Sequence, residues 1–257
     1  MWIIQYESNL MVSRHAGTLP VLLTSPHGAP ASAKPPGVSQ RTGSTPGCPP
    51  NKILGDTFTK EITTAVAQLL LETLGEAPYV VIADYHRKFI DANRSEQCAF
   101  NTSEAAAARP FHAEYHQTIR QFIDQIQAEN GCRGFLFDIH GTKTIETDKA
   151  DVYIGTDNGK SVRRLLTHNP LAIFGRRSLR GLLQAAGYVV SPARQGIPET
   201  AEVDGGFTTQ TYGSSHADGL DAMQLEIAHP IRESVPRREA FIEHLGRAIA
   251  TLTARLL

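Results

Sequence analysis

Apolar residues along the chain follow two alternating rhythms. Short apolar runs rich in β-branched and aromatic residues occur at 20–25 (PVLLTS), 79–83 (YVVIA), 134–139 (GFLFDI), 151–155 (DVYIG), 188–191 and 222–228 (AMQLEIA). Runs of this length and composition predict strands. Between them, apolar residues recur every three or four positions. Residues 53–74 carry Ile53, Phe58, Ile62, Val66, Leu69 and Leu70 at that spacing. Residues 111–130 carry Tyr115, Ile119, Phe122, Ile123 and Ile126, with Gly131 following as a C-cap. Helices are also predicted over 171–186 and 237–256. Strands alternating with helices predict a three-layer α/β/α architecture around a largely parallel sheet. The strands are nearly continuous apolar runs, as expected where both sheet faces are covered.

Two stretches interrupt the pattern. Residues 28–50 are dense in Gly, Pro, Ser and Thr, as are residues 195–219 to a lesser degree, and both predict loops. A loop longer than about 12–15 residues inside a domain is usually functional or disordered. The first begins directly after a strand, which favours function. With no repeat or charge block to divide it, the chain is expected to form one domain over 1–257.

Composition narrows the function classes. Lys plus Arg number 25 and Asp plus Glu 26 in 257 residues. This balance gives no electrostatic reason to expect a nucleic acid or an anionic membrane as partner. Cys48, Cys98 and Cys132 are odd in number and far apart, which argues against a disulfide framework or a cysteine-rich zinc knuckle. No basic-then-apolar leader opens the sequence, and no apolar run approaches the ~20 residues that span a bilayer. A cytoplasmic location is expected.

The informative polar residues sit at the ends of predicted strands. PVLLTS runs into Pro26-His27-Gly28, GFLFDI holds Asp138 and runs into His140-Gly141, and AMQLEIA carries Glu226. In open α/β sheets ligands bind beyond the carboxyl ends of strands. Two histidines and carboxylates there suit catalytic zinc, commonly held by two His and one acidic residue with a water in the open position. Glu226 is placed to act as a general base. Asp138 shares a strand face with His140 and is placed to orient it. Arg87 and Arg94 flank Asn93 in a segment that suits a carboxylate, since guanidinium forks grip one bidentately. Arg94 is equally suited to pair with Asp91 or Glu96.

Taken in order, Ser25-Pro26-His27-Gly28, Ile90-Asp91-Ala92-Asn93-Arg94, Phe137-Asp138-Ile139-His140-Gly141, Gly205-Gly206-Phe207-Thr208 with Tyr212-Gly213, and Gln224-Leu225-Glu226-Ile227 resemble the N-formylglutamate amidohydrolase family. The order is also similar to the wider zinc carboxypeptidase and aspartoacylase group. The resemblance implies a phosphorylase/hydrolase-like fold with a mixed, largely parallel sheet between helices, and one zinc ion per chain. It implies hydrolysis of a linear amide bond in a small anionic N-acyl amino acid or peptide. It assigns His27 and His140 as zinc ligands, Asn93 and Arg94 as the pair holding a substrate carboxylate, Glu226 as general base and Arg87 as an aid to the oxyanion or the carboxylate. The carboxypeptidase pattern places an acidic ligand three residues after the first His, where this chain has Pro30. The next acidic residue is Asp56, which the resemblance makes the third ligand; a helix N-cap is its local alternative. His229 stands where formylglutamate-type enzymes tend to have Arg. Arg41 and Lys34 of the long loop are candidates to line an anionic pocket. A peptide-cleaving metallopeptidase and a non-catalytic binder of small anions are the alternative functions. The sequence does not specify an oligomeric state.

Overall fold

The computed structural model describes residues 3–42, 45–131, 133–143 and 145–256. Cys132 and residues 43–44 of the predicted loop lie outside these. The described strands are β1 (Glu7–Asn9), β2 (Val12–His15), β3 (Leu19–Ser25), β4 (Pro78–Ala83), β5 (Phe135–Thr142), β6 (Val152–Gly155), β7 (Val190–Ser191) and β8 (Asp221–Ala228). The α-helices are α1 (Thr59–Leu74), α2 (Glu96–Ala99), α3 (Ala105–Asn130), α4 (Arg163–His168), α5 (Leu179–Ala185), α6 (Phe207–Tyr212), α7 (His229–Glu233) and α8 (Val235–Leu256).

All eight strands join one mixed sheet in the order β1-β2-β4-β3-β5-β8-β6-β7. Its centre, β4-β3-β5-β8, is parallel, and β2 and β6 flank it antiparallel. Because side chains alternate along a strand, each face has its own helices. Val21, Leu23, Phe137, Ile139 and Leu225 pack with α1 and α8 through Ile62, Val66, Leu245 and Ile249. Leu22, Leu136 and Ala222 point the other way, onto Tyr115, Ile119 and Ile123 of α3. This is the expected three-layer α/β/α arrangement. Truncating a buried ring such as Phe137 to alanine costs about 3–5 kcal/mol.

The face toward α3 changes character along the strands. Its first half is apolar. Its second half carries Thr24, Asp138 and Gln224 in one register row and His140 beside Glu226 in the next. The carboxyl edge of the parallel strands is therefore a polar patch inside the protein, and buried polar groups require partners.

Three expectations need correction. The first helix begins at Thr59, not residue 53, because the segment before it is held extended: Asp56 N–H donates to the His27 carbonyl at 3.0 Å, and Phe58 turns the chain with φ 65°. Ile53 and Leu54 are accordingly exposed. The helix expected over 171–186 is confined to α5, because Ser178 caps it by accepting the Gly181 N–H. The β1–β2 hairpin has no counterpart in the predicted elements. Its tip, Leu10-Met11, takes positive φ at both residues, the twist a two-residue hairpin needs, without the Asn-Gly signal that announces it.

The cysteine expectation also changes. Cys48 and Cys98 form a disulfide, closing a separation of 50 residues. No described helix is long and apolar enough to cross a membrane.

Candidate metal centre

His27 follows β3, His140 lies within β5, and Asp56 precedes α1. These three buried side chains meet at the carboxyl edge of the sheet. His27 Nδ1 lies 3.2 Å from His140 Nδ1 and 3.3 Å from Asp56 Oδ2, and His140 Nδ1 lies 3.2 Å from the same oxygen. An ion with tetrahedral bonds of about 2.0–2.1 Å spaces its ligands by about 3.3–3.4 Å, so the triangle has the right size.

The far sides of the rings supply a second test. His27 Nε2 is 2.7 Å from Asp91 Oδ1, and His140 Nε2 is 2.9 Å from Asp138 Oδ2. Each carboxylate accepts only, so each Nε2 carries the ring proton. A neutral ring then presents a lone pair at Nδ1. With both rings neutral, two nitrogens and one oxygen converge as acceptors, an arrangement compatible with a cation at its centre. The surrounding carboxylates favour positive charge at this point: burial opposes an imidazolium at His140, but Asp138, Asp56 and Glu226 carry its pKa well above the ordinary histidine value. Burial would raise the Asp56 carboxyl, but hydrogen bonds to His140 and His27 and their charge hold it below the usual range. Asp56 Oδ2 also accepts the Gly141 N–H at 3.1 Å. Asp56 does not serve as the side-chain cap of α1, whose N-cap is Phe58.

Asp91 is the hub behind the triad. It has no exposed surface, and its Oδ2 receives Arg87 Nη2 at 2.9 Å, Arg41 Nη2 at 3.1 Å and Arg94 Nε at 3.2 Å. Burial alone would raise its pKa, but Arg87, His27 and Arg41 hold it well below the usual carboxylate range. Sequence reasoning missed this role, since the three guanidiniums arrive from two distant segments. Arg41 is a buried anchor of the long loop and does not line an open pocket; its backbone N–H donates to the Lys88 carbonyl and its Nε to that of Arg87. Lys34 lies over the Phe89 ring.

The remaining candidates surround the triad. Glu226 Oε1 stands 4.0 Å from His140 Nδ1 and accepts Gln224 Nε2 at 2.8 Å. Burial pushes the Glu226 carboxyl above the ordinary glutamate range, His140 drawing it back and Asp56 adding to the rise. Arg87 Nη1 approaches Asp56 Oδ1 at 3.7 Å, and its buried Nε–H has no partner. Asn93 Oδ1 accepts the Thr208 N–H at 2.8 Å, and its Nδ2 is 3.2 Å from His140 Nε2. Arg94 donates from Nη1 to the Pro49 carbonyl at 2.7 Å and from Nη2 to that of Pro50 at 2.6 Å. The Cys48–Cys98 disulfide holds that strip of loop in place beside Arg94.

Glycines make the centre possible at two points. A Cβ at Gly141 would lie 2.4 Å from the Arg232 guanidinium carbon. One at Gly206 would lie 2.1 Å from Asn93 Nδ2 and 2.6 Å from Gln224 Oε1.

Comparison with known proteins adds to this geometry. A family model described as N-formylglutamate amidohydrolase matches residues 99–231, just over half of the chain. No curated protein matches the sequence. Among solved structures, an N-formylglutamate amidohydrolase from Ralstonia eutropha JMP134 is similar with a TM-score of 0.56 and 18% identity, covering 92% of each chain. A gene product of Agrobacterium tumefaciens is similar with a TM-score of 0.61 and 16% identity, covering 96% of each chain. At these identities the two structures bear on the fold alone.

Proposed function

Since the chain belongs to the N-formylglutamate amidohydrolase family and is a hydrolase of an amide bond, we propose that it is a zinc-dependent amidohydrolase releasing the acyl group of a small anionic N-acyl amino acid such as N-formylglutamate. The observation that carries the metal in this proposal is the convergence of three acceptors, His27 Nδ1, His140 Nδ1 and Asp56 Oδ2, within 3.3 Å of one another. These three would hold one ion per chain. When bound, zinc lowers the pKa of a coordinated water and polarises the scissile carbonyl. Their nitrogen and oxygen donors also suit other divalent metals.

The chain's own residues supply the rest. Glu226 takes a proton from the attacking water and returns it to the leaving amine. Its raised pKa brings it nearer neutrality, where one group performs both transfers best. Arg87, with an unpaired Nε–H beside the triad, stabilises charge developing on the carbonyl oxygen. Arg94 and Asn93 hold the substrate carboxylate and fix the amide near the metal. For Arg94 this exchanges one set of acceptors for another: the Pro49 and Pro50 carbonyls give way to the substrate's oxygens. We take 1–257 as one catalytic domain with residues 28–50 as its active-site loop. Disulfides are rare in cytosolic proteins, so the Cys48–Cys98 pair pulls against a cytoplasmic location.

Purified protein, stripped and reloaded with zinc, tests the proposal against N-formyl-L-glutamate, other N-acyl amino acids and short peptides, with released amine as the readout. Zinc-dependent release from N-acyl amino acids is expected. Zinc-dependent cleavage of peptides alone would reassign the substrate, and a zinc-loaded protein inert toward all of them would overturn the proposal.

A further inference from the structure

Gln224 lies on β8 two residues before Glu226 and on the same face, and is 96% buried (relative exposure 4%). Its Nε2 donates to Glu226 Oε1 at 2.8 Å. Glu226 in its ionised, base form only accepts, which matches the Nε2 end of the amide facing it. The other end, Oε1, is buried and has no hydrogen-bond partner. Buried acceptors are almost always paired, and an exception at a reacting centre calls for an explanation. This one borders the space beside the Gly206 Cα, which Asn93 Nδ2 also borders, and Asn93 Nδ2 lies 3.2 Å from His140 Nε2. The unpaired oxygen is therefore near groups that adjoin the triad, and its own amide is tied to the base.

We propose that Gln224 makes the enzyme specific for secondary amides, its Oε1 accepting the N–H of the scissile bond while its Nε2 holds Glu226. This rests on the amidohydrolase function proposed above and narrows its substrate class. Substrates of the form R–CO–NH–R′, the N-acyl derivatives of primary amines, satisfy the orphan oxygen. Tertiary amides, such as N-acyl imino acids or N-methyl amides, leave it unpaired. In the reaction water adds its oxygen to the carbonyl carbon, the C–N bond breaks, and a water proton passes through Glu226 to the nitrogen. The acid and the free amine are the products. Holding the existing N–H against Gln224 keeps the nitrogen's lone pair turned toward Glu226, where that proton arrives. A site built to bond a substrate N–H discriminates against analogues lacking it far more strongly than an apolar pocket discriminates by size.

Kinetics on matched pairs test this. The zinc-loaded protein is assayed with N-formyl-L-glutamate and its N-methyl amide counterpart, N-formyl-N-methyl-L-glutamate, and with the corresponding N-acetyl pair. Wild type is expected to prefer the N–H member by at least about 100-fold in kcat/KM. Gln224→Met is expected to reduce that preference to below about tenfold, chiefly through loss on the N–H substrate. The ratio is taken within one protein, so a lowered folded fraction cancels. A wild type without the preference, or an unchanged preference in Gln224→Met, overturns the assignment while leaving the amidohydrolase function standing. If wild type cleaves neither member of either pair nor any of the N-acyl amino acids and peptides above, that function falls and this inference with it.

Discussion

Asp91 Oδ1 lies 2.7 Å from His27 Nε2, and the other oxygen of the same fully buried carboxylate is shared by Arg41, Arg87 and Arg94. One acidic side chain thus sets the tautomer of a histidine of the triad and anchors both the long loop, through Arg41, and the Arg87 and Arg94 guanidiniums. His140 and Asp138 repeat the first half of this arrangement, with Thr24 Oγ1 donating to Asp138 at 2.6 Å.

Asp91→Asn keeps the shape and removes the charge. An amide facing His27 Nε2 no longer requires a proton there, and three guanidiniums lose their shared counter-ion. Zinc affinity is expected to fall about 10–100-fold, the usual effect of removing a carboxylate behind a ligating histidine. Competition with a chromophoric chelator measures it. Affinity equal to wild type would show that Asp91 does not orient His27.

Glu226 stands 4.0 Å from His140 Nδ1, beyond the bonding distances of the triad. Glu226→Gln is therefore expected to keep one zinc per chain by elemental analysis while kcat falls about 10²–10⁴-fold, the range of a lost general base. Near-native turnover in this variant would move the proton transfer to another group. Loss of zinc would make Glu226 a ligand.

The polar edge of the sheet was legible because β5 alternates. Phe135, Phe137 and Ile139 mark one face so plainly that Asp138 and His140 must share the other. Asp56 was harder, because 28 residues of loop and extended chain separate it from His27, and only folding brings its carboxylate under both rings. Asp91 read locally as a partner for Arg94. That pairing exists, but its convergence with Arg41 and His27 depends on contacts across 50 and 64 residues. The motif that includes Gln224 gave it no role, since an amide in an apolar strand acquires meaning only from what its two ends face. The cysteines misled for the same reason: Cys48 and Cys98 meet because the Pro-rich loop folds back over the segment after β4, a path its composition does not reveal.

A second histidine pair, outside the triad, predicts a pH dependence of stability. On α3, His116 Nε2 lies 3.1 Å from His112 Nε2, while His116 Nδ1 meets the Tyr212 hydroxyl at 2.9 Å and His112 Nε2 meets the Arg94 carbonyl at 2.9 Å. Burial, with His112 adding to it, lowers the His116 pKa from 6.5 to about 3. Burial lowers His112 as well. The native rings stay neutral while those of the unfolded chain take up protons near 6.5, so the unfolded state binds more protons below that value. Stability contributed by keeping them neutral is complete above pH 6.5 and is lost as pH falls toward 3. Urea midpoints at pH 7.5 and 5.5 should show a drop, and His116→Gln should show a smaller one. An identical drop in the variant would assign the acid sensitivity elsewhere.

The disulfide makes the last prediction. Cys48 sits directly before Pro49 and Pro50, whose carbonyls occupy both terminal nitrogens of Arg94, and Cys98 sits in α2 just beyond Arg94 itself. The covalent bond therefore closes a ring around the arginine assigned to the substrate carboxylate. With the bond formed, the three cysteines leave one free thiol under denaturing, non-reducing conditions. Cys98→Ser is expected to cost about 2–4 kcal/mol of stability, the usual contribution of a bridge closing a loop of this order. It also frees the Pro49–Pro50 strip from Arg94, so KM for a carboxylate-bearing substrate should shift more than kcat, because the strip competes for the guanidinium and takes no part in bond breaking. Three reactive thiols in the unreduced, denatured wild type would remove the bridge and this coupling together. A destabilised variant with unchanged KM would leave the bridge a structural staple with no hold on substrate binding.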